Sequence, residues 1–226
     1  MTIMYRFSSS CKPRHWLMIA LAAVAMMMTT ACSETDNEVD EYADWQNKNA
    51  EWFTNLYNSA RQKVSSGDTS WKLIKKYSLN DDVQGNPTDY VIVHVLNEGT
   101  GSGSPLISDT VRVHYRGRFI PSPSYLEGKV FDESFSGEYN LATMTPVKLG
   151  MGTAVDGFST ALLHMHIGDR WEVYIPQNLG YGINPPNKEI PQYSNLIFDV
   201  TLAAYYHPGP LVPDWKAGDA FWEPEE

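Results

Sequence analysis

The sequence predicts an α+β domain: a curved antiparallel β-sheet wrapped on one short helix, preceded by an N-terminal helix. Three observations predict it. Strand-like alternation recurs between residues 89 and 204 without any βαβ repetition. Within that stretch one segment, Asp156 to Met165, has helical spacing instead. Ahead of it all, residues 42–64 carry an aromatic stripe at helical spacing.

The chain has 226 residues, 42% of them hydrophobic, enough for one sizeable core with extensions. Residues 1–31 are set aside as a targeting segment. Arg6, Lys12 and Arg14 give a basic start, and an apolar run from Trp16 to Met28 follows. The run is short for a membrane span, which needs about 20 apolar residues. It ends in Thr29-Thr30-Ala31-Cys32, which resembles the lipobox of bacterial lipoproteins. That resemblance implies that Cys32 is acylated and that the protein is lipid-anchored to the outer membrane of the cell envelope, on its periplasmic or its outer face. Of the two cysteines, Cys11 and Cys32, only Cys32 would survive cleavage, so no internal disulfide is expected. Cleavage also removes three basic residues from a chain whose formal charge is already -10. An acidic protein of this kind is a poor nucleic-acid binder. The acidic run Ser33-Glu34-Thr35-Asp36-Asn37-Glu38 resembles the surface-export signal of lipoproteins from the Bacteroides group, and reads equally as a solvated tether.

In the stripe, Tyr42, Trp45, Trp52, Phe53, Leu56, Tyr57, Ala60 and Val64 share one helical face. Asn37 or Asp40 is placed to cap this helix and Gly67 to follow its end. Its aromatic face either packs on the main domain or joins a second copy in a homodimer through residues 40–64. Residues 68–88 are mixed and turn-rich. Asp89 to Leu96 alternates as a strand, and Gly99-Thr100-Gly101-Ser102-Gly103 reads as a flexible turn, since no helix follows that would make it a phosphate loop. Thr110 to Phe119 is a strand, with Val111, Val113 and Tyr115 on one face and Arg112, His114 and Arg116 on the other. Lys129 to Asp132 and Pro146 to Leu149 are shorter strands. After the Asp156–Met165 helix, Gly168-Asp169 turns the chain into two more strands, Arg170 to Ile175 and Leu196 to Ala204, separated by a loop with Pro185, Pro186 and Pro191. From His207 the chain is rich in proline and acid, an extended tail with docking aromatics at Trp215, Phe221 and Trp222.

Several motifs in this order resemble the FKBP-type peptidyl-prolyl cis/trans isomerases over about residues 88–206. They are Val113-His114-Tyr115-Arg116-Gly117, Val130-Phe131-Asp132-Glu133-Ser134, Val147-Lys148-Leu149-Gly150 and Val155-Asp156-Gly157-Phe158. They continue through Met165-His166-Ile167-Gly168-Asp169-Arg170, Gln177-Asn178-Leu179-Gly180-Tyr181-Gly182, Ile190-Pro191 and Leu196-Ile197-Phe198-Asp199-Val200. The chain then divides into a signal peptide (1–31), an acidic tether (32–38), an N-terminal helical segment (39–87), the isomerase-like domain (88–206) and a tail (207–226).

The resemblance implies a pocket for a prolyl ring. Phe131, Phe158 and Phe198 would grip the ring, with Val155 and Ile190 completing the substrate site. The Val155 N–H and the Tyr181 hydroxyl would hold substrate carbonyls. Asp132, oriented by Tyr115, would present a carboxylate edge to the twisting imide, so Tyr115, Asp132 and Tyr181 are the catalytic candidates. Departures from the family pattern are Phe158 where tryptophan is usual, Thr145 at an apolar wall position, a longer loop between Ser134 and Met144, and Pro185-Pro186 where a histidine is common. They bear on substrate preference and drug affinity.

The reaction so implied is rotation about an X–Pro bond, against a barrier of about 18–20 kcal/mol. It moves no proton and breaks no bond, so no metal or cofactor is expected. His164 and His166 flank Met165, but no carboxylate or cysteine cluster completes a ligand set with them. A triad built on Ser134 lacks the nucleophile-elbow motif. The expected partners are proline-containing polypeptides and, through the lipid, a membrane. Two other readings remain: a module that holds proline segments without turnover, and a docking component of a cell-surface assembly.

Overall fold

The computed structural model of the protein describes residues 39–209, 212–215 and 221. The signal segment, Cys32, the tether and the Asn37 cap lie outside the described residues, as does Trp222.

Helix α1 spans Trp45–Ser65. Its stripe turns inward: Trp45, Phe53 and Ala60 are buried, and Tyr42, Trp52, Leu56 and Tyr57 pack against the same core. Val64 is left exposed, while a polar residue, Asn49, is buried with the stripe. The aromatic face is thus used within the chain. Asp40 is not the helix cap. It accepts the Tyr42 N–H at 3.1 Å in the turn before the helix, and Asp44, in a left-handed conformation, stands at the N-cap position. At the other end the Gly67 N–H donates to Val64 O at 3.1 Å and the Asp68 N–H to Lys63 O at 3.0 Å. This paired closure satisfies carbonyls that a helix end otherwise leaves unpaired.

A strand follows where the sequence looked merely turn-rich: β1, Trp71–Lys75. It did not stand out because it is short and Lys72 and Lys75 break its apolar run, yet it pairs in full with β2, Tyr90–Asn97. The remaining strands are β3 (Thr110–Arg118), β4 (Val130–Glu133), β5 (Val147–Gly150), β6 (Arg170–Ile175) and β7 (Leu196–Tyr206). Helix α2 is Asp156–Leu162. The strands form one antiparallel sheet in the order β1-β2-β6-β7-β3-β4, with β5 also on β3. Strand β3 therefore pairs with β7 along one edge and with β5 and then β4 along the other.

Adjacent residues of β6 receive the two helices. Ile175 meets α2 at Gly157, where a Cβ would lie 2.3 Å from Ile175 Cγ2. Tyr174 meets α1, its ring 6.0 Å from that of Trp52. Because successive strand residues point to opposite faces, α2 fills the concave side of the sheet and α1 covers part of the convex side. This arrangement realises the curved sheet wrapped on a helix.

The rest of the convex side is covered by two irregular segments. The long loop after Ser134 lays Tyr139 over the Arg170 guanidinium at 3.8 Å, and its phenol meets Thr201 Oγ1 at 2.8 Å. Arg170 in turn makes a forked pair with Asp199 at 2.9 and 2.6 Å. The tail docks locally: Arg112 donates to Pro213 O at 2.6 Å and faces the Trp215 ring at 5.6 Å. The Gly99 turn is not loose. A Cβ there would sit 2.3 Å from Ile167 O, and its N–H donates to Asp169 Oδ1 at 2.7 Å, so backbone packs on backbone.

His114 shares this convex side, paired with Thr201 across the strands. It is 2% exposed, and its Nδ1 has no hydrogen-bond partner among the described residues. Burial pushes its imidazole down to about 4. An unfolded histidine takes its proton near pH 6.5. As pH falls from about 6.5 to about 4, the unfolded chain gains a proton that the folded chain refuses. Stability is thus intact above that window and lost on descending through it. His114→Leu should flatten this part of the acid limb by about 1–2 kcal/mol. Urea midpoints for the two proteins at neutral and at mildly acid pH check it, and equal losses in both would contradict the assignment.

Candidate functional site

The site starts from a gap in β3. Gly117 pairs with Phe198 on β7 and with Asp132 on β4. A Cβ at Gly117 would lie 2.7 Å from both Phe131 Cζ and Phe198 Cε1. Two rings can therefore press down on the strand at this point. Gly157 does the same for α2, bringing Phe158 down with the helix onto the sheet.

The floor of the resulting cleft is aromatic. Phe158 and Phe198 stand edge to face, centroids 4.8 Å apart at 62°, and both are buried. Tyr115 lies 6.1 Å from Phe158 and 6.0 Å from Phe198, again edge on. Such pairings suit the ring quadrupoles and fix the rings in place. The cleft, about 230 Å³, is lined by these three together with Asp132, Leu149, Thr153, Ala154, Val155 and Tyr181.

One hydrogen bond organises the polar rim. The Tyr115 phenol donates to Asp132 Oδ2 at 2.8 Å. Burial, and then the acceptance of that bond by the carboxylate, raises the Tyr115 phenol well above its ordinary range. Tyr181 is raised by burial and by the nearby Asp132 charge. Both hydroxyls therefore stay protonated donors at neutral pH. Ser134 holds the frame: its Oγ accepts the Tyr115 N–H at 2.8 Å and its N–H donates to Tyr115 O at 2.9 Å. Val155 is the N-cap of α2, its carbonyl accepting from Phe158 at 2.9 Å and Ser159 at 3.1 Å.

The structure brings together Tyr115, Asp132, Tyr181, Val155, Phe158 and Phe198. Phe131 and Ile190 are not among the residues that line the cleft. Phe131 stacks on Phe119 at 4.9 Å and meets Phe198 edge on at 5.6 Å, so it adjoins the floor. Ile190, 6% exposed, is buried in the core. Thr145 is also absent from the lining, and Leu149 supplies the apolar wall. Thr153 and Ala154 were missed because small residues in a short turn carry no periodic signal; their nearness to Val155 was the one hint. His164 Nδ1 lies 2.9 Å from Thr160 O, and His166 pairs with Asp169 at 3.6 Å, both on the surface away from the lining residues. Among the described residues no group of three metal-ligating side chains converges.

Comparison with known proteins points the same way. Residues 101–203 match the family model described as FKBP-type peptidyl-prolyl cis-trans isomerase. The chain is 37% identical over 108 residues to the FKBP-type 22 kDa peptidyl-prolyl cis-trans isomerase of Escherichia coli (strain K12), covering 48% of this chain and 46% of that protein. It is 36% identical over 107 residues to the macrophage infectivity potentiator of Trypanosoma cruzi, covering 47% and 48%. It thus spans about half the length of these curated relatives. Among solved structures, it is similar to a peptidyl-prolyl cis-trans isomerase from Pseudomonas syringae pv. tomato at 23% identity and TM-score 0.44, over 67% of this chain and 94% of that one. FkpA from Escherichia coli is similar at 21% identity and TM-score 0.41, over 86% and 73%.

The close approach at Gly117 can be tested directly. Gly117→Ala must displace Phe131 or Phe198, and overpacking of this kind costs about 1–3 kcal/mol. Thermal melts should show that loss, and near-UV circular dichroism should show the aromatic cluster disturbed. An unchanged spectrum would mean that the rings do not depend on the gap.

Proposed function

We propose, from the premise that residues 101–203 are an FKBP-type domain, that this protein is a peptidyl-prolyl cis-trans isomerase acting on proline-containing polypeptides. The observation that carries the reading is the aromatic floor of Tyr115, Phe158 and Phe198 beside the carboxylate that Tyr115 orients.

The chemistry follows from the amide. A planar X–Pro bond is stabilised by charge separation between nitrogen and oxygen, and rotation removes it. A dry aromatic cleft disfavours the polar planar form more than the twisted one. That difference, rather than binding as such, lowers the barrier. A gain of about 5–7 kcal/mol corresponds to roughly 10⁴–10⁵-fold. In this scheme the prolyl ring rests on Phe158 and Phe198, with Phe131 adjoining the second ring. The Tyr181 hydroxyl and the Val155 N–H donate to substrate carbonyls. Asp132 gives one oxygen to Tyr115 and presents the other to the twisting imide. Its part is electrostatic, since no proton changes hands.

We further propose that Cys32 carries the lipid and that the domain works in the cell envelope on exported proteins, whose slow X–Pro steps take tens to hundreds of seconds uncatalysed. The Ala31-Cys32 junction after an apolar run supports the anchor. A homodimer through residues 40–64 would have to use the polar side of α1, where Gln46, Lys48 and Glu51 are exposed, because the stripe is spent in the chain's own core. That packing favours a monomer.

Exchange spectroscopy on a short X–Pro peptide checks the activity. The soluble form lacking residues 1–32 should accelerate exchange, and Asp132→Ala and Phe198→Ala should each lose about 10–100-fold. A folded protein without acceleration would leave a proline-binding module in place of an isomerase. For the anchor, Cys32→Ser should move the protein from the membrane fraction to the soluble one and abolish fatty-acid labelling. Unchanged partition would exclude lipid attachment at this residue.

A further inference from the structure

We propose that α1 is a working part of the catalytic domain, in which buried Asn49 is a positioning residue that holds the loop bearing Tyr181. The proposal rests on the isomerase reading above. The loop runs from Pro176 to Asn195 between β6 and β7, with a single short turn, Gln177–Leu179, as its regular structure. A connection of this length usually needs outside support to keep one shape.

Its two ends are tied by one side chain: Asn195 Oδ1 accepts the Gln177 N–H at 3.0 Å. Helix α1 grips Asn195 twice. The Asn195 N–H donates to Asn49 Oδ1 at 2.7 Å, and Asn195 Nδ2 donates to the Asn49 carbonyl at 2.6 Å. Asn49 Nδ2 donates to Trp45 O at 2.8 Å, which fixes the orientation of its amide. Both asparagines are buried, at 1% and 2% exposure. A third hold comes from Trp45, whose Nε1 donates to Ser194 Oγ at 2.8 Å, and Ser194 Oγ donates to Pro191 O at 2.7 Å.

From this clamp the bonds lead to the site. Gln177 O accepts the N–H groups of Gly180 at 3.2 Å and Gly182 at 2.9 Å, on either side of Tyr181. The Tyr193 N–H donates to Gly182 O at 2.9 Å. Tyr193 itself is held at φ 63, a left-handed conformation that a bulky side chain disfavours. Strain of this kind persists only where neighbours overdetermine it, and the neighbours are Ser194 and Asn195, the residues that α1 holds. Sheet packing alone would not require α1 to spend a buried amide here. Phe53 and Ala60 already secure the helix by apolar contact.

The experiment compares Asn49→Ala with Tyr57→Ala in the full-length protein. Tyr57 packs on Tyr90 at 6.0 Å and takes no part in the hydrogen bonds of the clamp, so its loss weakens α1 without removing them. Both are measured where circular dichroism shows them folded, by kcat/KM on an X–Pro peptide and by amide hydrogen exchange. Asn49→Ala should lower kcat/KM by about 10–100-fold, as misplacement of a binding group does, and should speed exchange at Gly182 and Tyr193 but not along β3. Tyr57→Ala should lower Tm and move neither readout. Equal effects of the two variants on kcat/KM, or unchanged exchange at Gly182 in Asn49→Ala, would overturn the proposal. If the native protein itself gives no turnover, the isomerase reading fails separately. Exchange at Gly182 then decides the clamp: faster in Asn49→Ala upholds it, and unchanged refutes it.

Discussion

The register between β3 and β7 is the constraint on which the site depends. Gly117 faces Phe198 and Tyr115 faces Val200 across that pair, while the other edge of β3 sets Gly117 against Asp132. A residue without a side chain thus stands between an aromatic floor and a carboxylate rim. A slip of one residue would turn Phe198 to the convex face and bring Asp199 into the cleft. The opposite face resists that slip, because Asp199 is held there by the forked bonds of Arg170. An ion pair on one side of the sheet and a ring cluster on the other therefore specify the same alignment.

The second organising feature is a relay of rings between the helix that precedes the sheet and the floor of the cleft. Trp45 meets Phe119 at 6.4 Å, Phe119 stacks on Phe131 at 4.9 Å, and Phe131 meets Phe198 at 5.6 Å. Interiors are packed as densely as organic crystals, so a ring at the end of such a series has little room to move. The position of Phe131 makes sense in this setting. It stands in this series beside the floor, and its contact with Phe198 helps to stiffen that ring.

Much of this was legible in the sequence, for identifiable reasons. Strands β3, β6 and β7 alternate strongly and α2 keeps a helical period, so their limits were readable to within a few residues. The polar pair Tyr115 and Asp132 could be placed by motif, and the structure joins them by one hydrogen bond. What was hidden has a common cause: it depends on neighbours distant in the chain. Strand β1 is short and interrupted by Lys72 and Lys75, and only its pairing with β2 reveals it. Asn49 carries no signal in the sequence, because its partner, Asn195, lies at the far end of the domain. Gly99 looked like slack, and its close approach to Ile167 and Asp169 becomes visible only in three dimensions.

The place of β7 in the sheet has a temporal consequence. It is the last strand among the described residues and sits between β6 and β3, near the middle of the sheet. A polypeptide made from its N-terminus presents β1 to β6 before the strand that joins them arrives. Until then β3 with β4 and β5 can form one sheet fragment and β1, β2 and β6 another, each with open edges. Pairings so distant in sequence form slowly, and open edges invite association. The described sheet is therefore completed only when its final strand arrives.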